Sequence, residues 1–289
     1  MPTAFLGPRG TFSEEAALAH VGDDGELVPF DSFAALVAAV ETGAATEAVL
    51  PIENSIEGGV SGTLDLLIHE TPLRIKAEIV LPIRHFLVAP PGVALGDVRS
   101  VSSKPEALAQ CRHFLDRHLP GVHQEAALST AAAVRDAALG TDPTRAGIGP
   151  QRAAELYGGQ ILAEDIQDVR TNLTRFVVLA VEDHPPTGDD KTSLAFTTEA
   201  DVPGSLHAVL GEFASESLQL TKIESRPTKE WLGVYVFLID LHGHRLDPAV
   251  ARVVERLRVR CATLKIFGSY PRFPLESLRG LVAPRPPTT

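Results

Sequence analysis

The chain has 289 residues, a length that suits two or three modules better than one core. Hydrophobic residues make up 44% and charged residues 22%, which is ordinary globular composition and excludes a disordered or membrane-spanning chain. Lys and Arg number 26 against 37 Asp and Glu, and the net charge of −11 argues against nucleic acid or an anionic membrane as partner.

The first 180 or so residues alternate short apolar runs with amphipathic stretches. Thr11 and Glu14 match a capping box at a helix start. Phe33, Leu36, Val37 and Val40 fall at helix spacing. Ala48-Val49-Leu50-Pro51-Ile52 predicts a buried strand, and Ser61 or Thr63 precedes a helix over Leu64-Asp65-Leu66-Leu67. Ile79 to Ala89 is extended and apolar, with a strand at Phe86-Leu87-Val88-Ala89, and carries the chain from one lobe to another. Ser103 and Glu106 match a second capping box. Ser129 precedes an Ala-rich helix that Gly140 stops, and Pro150 suits a first helical turn. This alternation predicts an α/β domain with largely parallel sheets. Each helix start exposes unpaired N–H groups, so several facing one cleft would hold carboxylates without a basic surface. Equally, each cap can serve its helix alone.

Glu182-Asp183-His184-Pro185-Pro186-Thr187-Gly188-Asp189-Asp190 is polar and broken by prolines, a linker pattern over 182–191. Beyond it, strands at Thr192–Thr198, Leu218–Ile223, Leu232–Asp240 and Leu264–Phe267 alternate with two helices. These are marked by Leu206, Val209, Leu210 and Phe213, and by Val250, Val253, Val254 and Leu257. The order β-α-β-β-α-β is the ferredoxin-like unit. The tail over 273–289 is Pro-rich at its end and predicted to be disordered. Cys111 and Cys261 stand far apart, which fits a reducing cytoplasm, and no Cys/His cluster has metal-site spacing. The start Met1-Pro2-Thr3-Ala4-Phe5-Leu6-Gly7 lacks a basic region with a long apolar run, so no export signal is expected.

Several blocks, in order, carry a resemblance. Phe5-Leu6-Gly7-Pro8-Arg9-Gly10-Thr11-Phe12-Ser13 opens the series. Pro51-Ile52-Glu53-Asn54-Ser55-Ile56-Glu57-Gly58 and Thr63-Leu64-Asp65-Leu66-Leu67 follow, then Ser129-Thr130-Ala131-Ala132-Ala133 and Asn172-Leu173-Thr174-Arg175-Phe176. Past the linker come Pro203-Gly204-Ser205-Leu206, Thr221-Lys222-Ile223-Glu224-Ser225-Arg226-Pro227 and Gly268-Ser269-Tyr270-Pro271. Together they resemble the prephenate dehydratase family, in its monofunctional form with a C-terminal phenylalanine-binding ACT domain. The chain departs from the family at Lys104 and Glu106, where His and Gln are usual, and at Ser205 and His207.

The resemblance implies a two-lobed catalytic domain like type 2 periplasmic binding proteins over 1–181, followed by an α+β ACT domain over 192–272. Lobe 1 would span about 1–77 and 166–181, and lobe 2 about 78–165. It also implies prephenate as substrate, L-phenylalanine as effector, and a homodimer or homotetramer assembled partly through ACT domains. Arogenate as substrate, or decarboxylation without aromatisation, stays open beside it. A cytoplasmic amino-acid sensor without catalysis is the alternative of a different class.

The chemistry needs little beyond binding. Prephenate loses carbon dioxide and a doubly allylic hydroxyl, and aromatisation supplies the driving force, so no redox or metal cofactor is expected. What remains is to orient a carboxylate and stabilise the departing hydroxide. On its residues alone, Thr174 is either a strand threonine packed beside Phe176 or a hydrogen-bond donor; the resemblance makes it the leading candidate for the leaving group. Glu53 ranks second as the acid if an apolar pocket raises its pKa, and otherwise it is a loop carboxylate or a partner of Arg175. Asn54 and Ser55 suit carboxylate or hydroxyl contact, or simply a turn. Arg175 could clamp a carboxylate or form an ion pair. Phe176 alternates with it and belongs to a wall. Thr11, Ser103, Ser129 and Thr130 are candidate substrate contacts at helix starts. In the C-terminal module, Gly204, Ser205 and Leu206 with Glu224, Ser225, Arg226 and Pro227 are the candidate phenylalanine site; Glu224 and Arg226 share a strand face and could instead form a salt-bridged edge.

Overall fold

The computed structural model describes residues 2–278 apart from 201, 230 and 232. The expected tail from 279 onward and Leu232, the first residue of an expected strand, therefore lie outside the described residues. The chain divides into two units. Unit 1 holds the chain up to Val60, Ile79–Phe176 and the described residues from Pro274; unit 2 holds Ser61–Glu78 and Val177–Phe273.

Unit 1 opens with β1 (Thr3–Leu6), α1 (Phe12–Val21), β2 (Leu27–Phe30), α2 (Phe33–Glu41) and β3 (Glu47–Asn54). β1 pairs in parallel with both β2 and β3, because each intervening helix carries the chain back across the sheet. Thr11 caps α1 by accepting the Glu14 N–H at 3.3 Å. The reciprocal half of the expected box is displaced by one residue: the Glu14 carboxylate takes the Gly10 N–H at 2.6 Å and the Arg9 guanidinium at 3.1 Å. Ser32 caps α2, whose Leu36, Val37 and Val40 are buried. A short return strand, β4 (Gly58–Gly59), pairs back onto the end of β3.

In unit 2, α3 (Ser61–Asp65) runs into a π-helical turn at Leu66–Glu70, so Ser61 and Thr63 lie within the helix rather than before it. β5 (Arg74–Pro82) then crosses the unit boundary. The second sheet of unit 1 is built from β6 (Phe86–Ala89), β7 (Ser100–Ser103), β8 (His123–Ala126), β9 (Arg145–Gly149) and β10 (Gln160–Ala163). Between them run α4 (Pro105–Gln110), α5 (Arg112–His118), α6 (Thr130–Leu139) and α7 (Gln151–Tyr157). Its order is β10-β6-β9-β7-β8. β7 is parallel to β8 and β9, but β6 is antiparallel to β9 and β10. The expectation of largely parallel sheets thus gives way where the chain enters and leaves this lobe, since an antiparallel neighbour needs no crossover helix.

β11 (Leu173–Ala180) returns to the first sheet, whose main path is β2-β1-β3-β11-β5. The outgoing and returning segments between the two sheets are stitched together. Ile83 N–H donates to the Asn172 carbonyl at 2.8 Å, Ile166 N–H to the His85 carbonyl at 3.0 Å, and Arg84 pairs with Asp165. Two sheets joined by two crossings is the two-lobed layout expected for this half of the chain.

One packing detail places the cleft-facing end of α6. A Cβ on Gly147 would sit 2.5 Å from the Ala133 carbonyl oxygen, and one on Gly149 would sit 2.7 Å from that of Thr130. Only glycine in β9 lets α6 lie this close to the sheet.

Unit 2 also contains β12 (Asp190–Thr198), α8 (Ser205–Ser215), β13 (Leu220–Pro227), β14 (Tyr235–His242), α9 (Pro248–Arg260) and β15 (Cys261–Pro271). The sheet is antiparallel, in the order β13-β14-β12-β15, the ferredoxin-like arrangement expected. β14 begins later than expected because Gly233, at φ 94°, lies in the preceding turn. β15 is longer than expected because it pairs along the whole of β12. The helices cover one sheet face with Val209, Phe213, Val253 and Leu257, packed on Leu194, Phe196 and Ile239. Each such side chain contributes roughly 1.5–3 kcal/mol by burial. Within the expected linker, Asp183 is fixed by Arg245 at 2.6 Å and by the Ser269 N–H at 3.0 Å.

Candidate active site

A cavity of about 570 Å³ lies in unit 1. Its lining includes Thr11, Phe12 and Ser13 at the start of α1, Asn54 at the end of β3, Glu57 to Val60, and Ile83 with His85 from the outgoing crossing. It is completed by Lys104, Glu106 and Gln110, by Ser129 and Thr130 at the start of α6, and by Asn172, Thr174 and Phe176.

The centre of the site is a closed ring of amide hydrogen bonds. The Asn54 side-chain oxygen accepts the backbone N–H groups of Ile56 at 2.9 Å and Glu57 at 3.0 Å. Backbone N–H groups can only donate, so the Asn54 amide orientation is fixed and its NH₂ must face the other way. That NH₂ donates to the Asn172 side-chain oxygen at 2.7 Å and to Thr174 Oγ1 at 2.8 Å. Asn172 then donates to Gln110 Oε1 at 3.0 Å, and Gln110 Nε2 donates to Glu57 Oε1 at 3.2 Å. The ring returns to the loop in which it began. Because Thr174 Oγ1 accepts from Asn54, its own hydrogen is directed away from Asn54, and the residue lines the cavity. Thr174 is buried, on a strand where the β-branched side chain has few rotamers.

Charges in the lining are sparse. Among the described residues Lys104 is the one Lys or Arg of the lining, with its Nζ 4.0 Å from Glu106. Burial holds the His85 imidazole below the usual histidine range, so it is neutral at neutral pH. The first N–H groups of α6 have no partner within their own helix, and Ser129 caps it by accepting the Ala132 N–H at 2.9 Å. The lining also carries the Glu57 and Glu106 carboxylates, so an anionic ligand would depend on Lys104, the helix start and neutral amides rather than on a basic surface.

The structure brings Thr174, Asn54, Thr11, Ser129, Thr130 and Phe176 together around the cavity. It does not bring Glu53, Arg175, Ser55 or Ser103 there. Side chains alternate along a strand, so with Asn54 and Thr174 facing the cavity their neighbours Glu53 and Arg175 point to the other side. There they pair with each other at 3.7 Å. Ser55 is spent on the backbone of the returning crossing: its Oγ accepts the Leu173 N–H at 2.9 Å and donates to the Thr171 carbonyl at 3.3 Å. Ser103 is buried as the last residue of β7 and donates to the Ile148 carbonyl at 2.6 Å. It therefore forms no capping box with Glu106, and α4 starts after Lys104 with Pro105 as its first residue. Pro150 likewise precedes α7 as its cap.

Gly204, Ser205 and Leu206 form the start of α8, with Gly204 as its cap at φ 95°. Glu224, Ser225, Arg226 and Pro227 end β13, an edge strand of its sheet. Glu224 and Arg226 do share a face and pair at 3.4 Å, and Arg226 also reaches Asp65 at 3.2 Å, which is the salt-bridged edge. Sequence reasoning missed His85, Gln110, Phe12 and Asn172 as site residues. Gln110 closes a helix and His85 sits in a crossing segment, and neither position carries a local motif. Asn172 stands two residues before Thr174, and strand alternation could have found it.

The family model "Prephenate dehydratase" matches residues 3–184. The prephenate dehydratase of Mycobacterium ulcerans is 42% identical over 279 residues, covering 93% of this chain and 88% of that one. The crystal structure of prephenate dehydratase from Arthrobacter aurescens in complex with L-Phe superposes with a TM-score of 0.87 at 38% identity, covering 94% of this chain and 90% of that one. GqqA, named a novel type of quorum quenching acylase, superposes with a TM-score of 0.85 at 30% identity, covering 96% of this chain and 100% of that one. With the match spanning nearly all of its length, the chain belongs to the prephenate dehydratase family.

Proposed function

We propose that the unit 1 cavity converts prephenate to phenylpyruvate, with the Thr174 hydroxyl donating a hydrogen bond to the departing ring hydroxyl. The observation that carries this is the orientation of Thr174: Asn54 donates to its oxygen at 2.8 Å, which leaves the hydrogen free for the cavity. In the reaction the bond from the ring to its carboxylate carbon breaks and carbon dioxide leaves. The released electron pair moves through the diene and expels the hydroxyl, which takes up a proton and departs as water. A threonine hydroxyl is a weak acid, so its part is a hydrogen bond that strengthens as negative charge grows on the leaving oxygen. The pyruvyl carboxylate is held at the start of α6, by Ser129 and Thr130, with Lys104 as the nearby cation. Thr11 and Phe176 complete the walls. Glu53 and Arg175 act together as a strut outside the cavity.

The ferredoxin-like part of unit 2, over 192–272, is the regulatory part, and L-phenylalanine is its effector, held by Gly204 to Leu206 and Glu224 to Pro227 where ACT domains of a homodimer or homotetramer meet. Binding there shifts the populations of open and closed catalytic lobes. The L-Phe held by the Arthrobacter aurescens relative supports this. We assign 1–181 to catalysis, 192–272 to sensing and 182–191 to the connection, working in the cytoplasm. Calorimetry showing no phenylalanine binding at millimolar concentration would remove the effector.

An acylase reading finds no support in the cavity, because none of the described lining serines hydrogen-bonds His85 and the Ser129 hydroxyl caps α6. The decisive experiment is a product assay with prephenate and arogenate run side by side. Phenylpyruvate from prephenate is the expected result. Phenylalanine formed only from arogenate, or a non-aromatic keto acid from prephenate, would replace the proposal with one of its neighbours.

A further inference from the structure

We infer that His85 is a positioning residue for this reaction: its Nε2–H orients Gln110 and thereby fixes the direction of the amide ring that presents the Thr174 hydroxyl. The inference rests on the dehydratase proposal above. Gln110 Oε1 already accepts from Asn172, while Gln110 Nε2 faces the Glu57 carboxylate. The 3.3 Å contact between His85 Nε2 and Gln110 Oε1 can then be a hydrogen bond only if Nε2 carries the proton. His85 Nδ1 is enclosed and has no hydrogen-bond partner among the described residues, which fits an unprotonated nitrogen better than an N–H.

The rest of the residue is held with equal care. Its N–H donates to Gln167 Oε1 at 2.8 Å, its carbonyl accepts from Ile166 at 3.0 Å, and its ring meets Phe12 edge-on at 5.8 Å. His85 therefore belongs to both the stitched crossings and the cavity wall. Gln110 reaches from its helix to Glu57 on the β3–β4 loop, so the two donors on Oε1 decide which way its amide faces. Were that amide reversed, its NH₂ would face the Asn172 NH₂ and its oxygen the Glu57 carboxylate, and the ring would open.

Three variants and a spectrum test this. Gln places a donor near the Nε2 position, Asn places one near Nδ1, and Phe keeps the ring shape without a donor. His85→Phe is expected to lose about 10- to 100-fold in kcat with prephenate while KM stays within about threefold, the size expected for a displaced catalytic donor. His85→Gln should recover most of that loss and His85→Asn should not. In the unmodified protein, imidazole ¹⁵N spectra at neutral pH should show the Nε2–H tautomer for His85. Activity of His85→Phe within twofold of the parent, or Gln no better than Asn, overturns the inference. So does an Nδ1–H tautomer. If His85→Phe does not fold, the Gln and Asn pair decides. Thr174→Val run in parallel separates the two claims, since an active Thr174→Val defeats the dehydratase mechanism while the tautomer still reports on His85 alone.

Discussion

Replacing Thr174 with valine removes one hydroxyl and almost nothing else. The two side chains share a β-branched shape, so valine suits the same strand rotamer with a methyl in place of the hydroxyl. Asn54 loses one acceptor but keeps the Asn172 side-chain oxygen at 2.7 Å and the Leu173 carbonyl at 3.3 Å, so no buried donor is stranded. The stability cost is that of one neutral hydrogen bond, about 1 kcal/mol. The catalytic cost is larger, because a donor aimed at developing negative charge contributes about 2.7–4 kcal/mol, or roughly 10²–10³ in kcat. Thr174→Ser keeps the donor with a looser rotamer and should stay within about tenfold of the parent. Steady-state formation of phenylpyruvate, with thermal unfolding as control, measures both. A folded Thr174→Val with kcat within threefold of the parent would refute the role of the hydroxyl.

Three further perturbations probe the surroundings. Asn54→Asp keeps the volume but can no longer donate, so the Thr174 hydroxyl turns to bond the new carboxylate; kcat should fall about 10²-fold, and an unchanged kcat would show that the ring does not set the hydroxyl. Glu53→Gln should leave kcat within about threefold and change stability by no more than about 1 kcal/mol, since the half-exposed carboxylate faces Arg175 away from the cavity; a large kcat loss would return Glu53 to the acid's role. Glu15 on α1 has its pKa raised to about 7, first by burial and then by the nearby Glu155 and Glu14 charges, against the opposing pull of Arg152. Its folded form holds the proton more tightly than the unfolded chain, so its contribution is present below about 4.5 and is lost as pH rises through about 7. Glu15→Gln should therefore stabilise the protein by about 2–3 kcal/mol near pH 8 and leave it nearly unchanged near pH 4, read by urea unfolding at both pH values.

Regular elements were legible because their signals are local. The spacing of Leu36, Val37 and Val40 announces α2, and Ser129 with Gly140 brackets α6. The ferredoxin-like order of unit 2 follows from alternation of period and length alone. Ser103 misled for the same reason: its spacing to Glu106 is that of a capping box, but β-pairing through Ser103 consumes the position first. The resemblance put Thr174 first and Glu53 second and kept Arg175 as a possible clamp, although alternation along β3 and β11 turns Glu53 and Arg175 to the other side. Gln110 and His85 reach the ring only through contacts spanning 62 and 25 residues of chain, and no local pattern encodes those.

The most direct test is a structure of the protein with an unreactive prephenate analogue that retains the ring alcohol. The account predicts the alcohol oxygen at hydrogen-bond distance from Thr174 Oγ1, about 2.7–3.0 Å, with the side-chain carboxylate at the start of α6. An analogue bound with its alcohol turned away from Thr174, or seated outside this cavity, would contradict it.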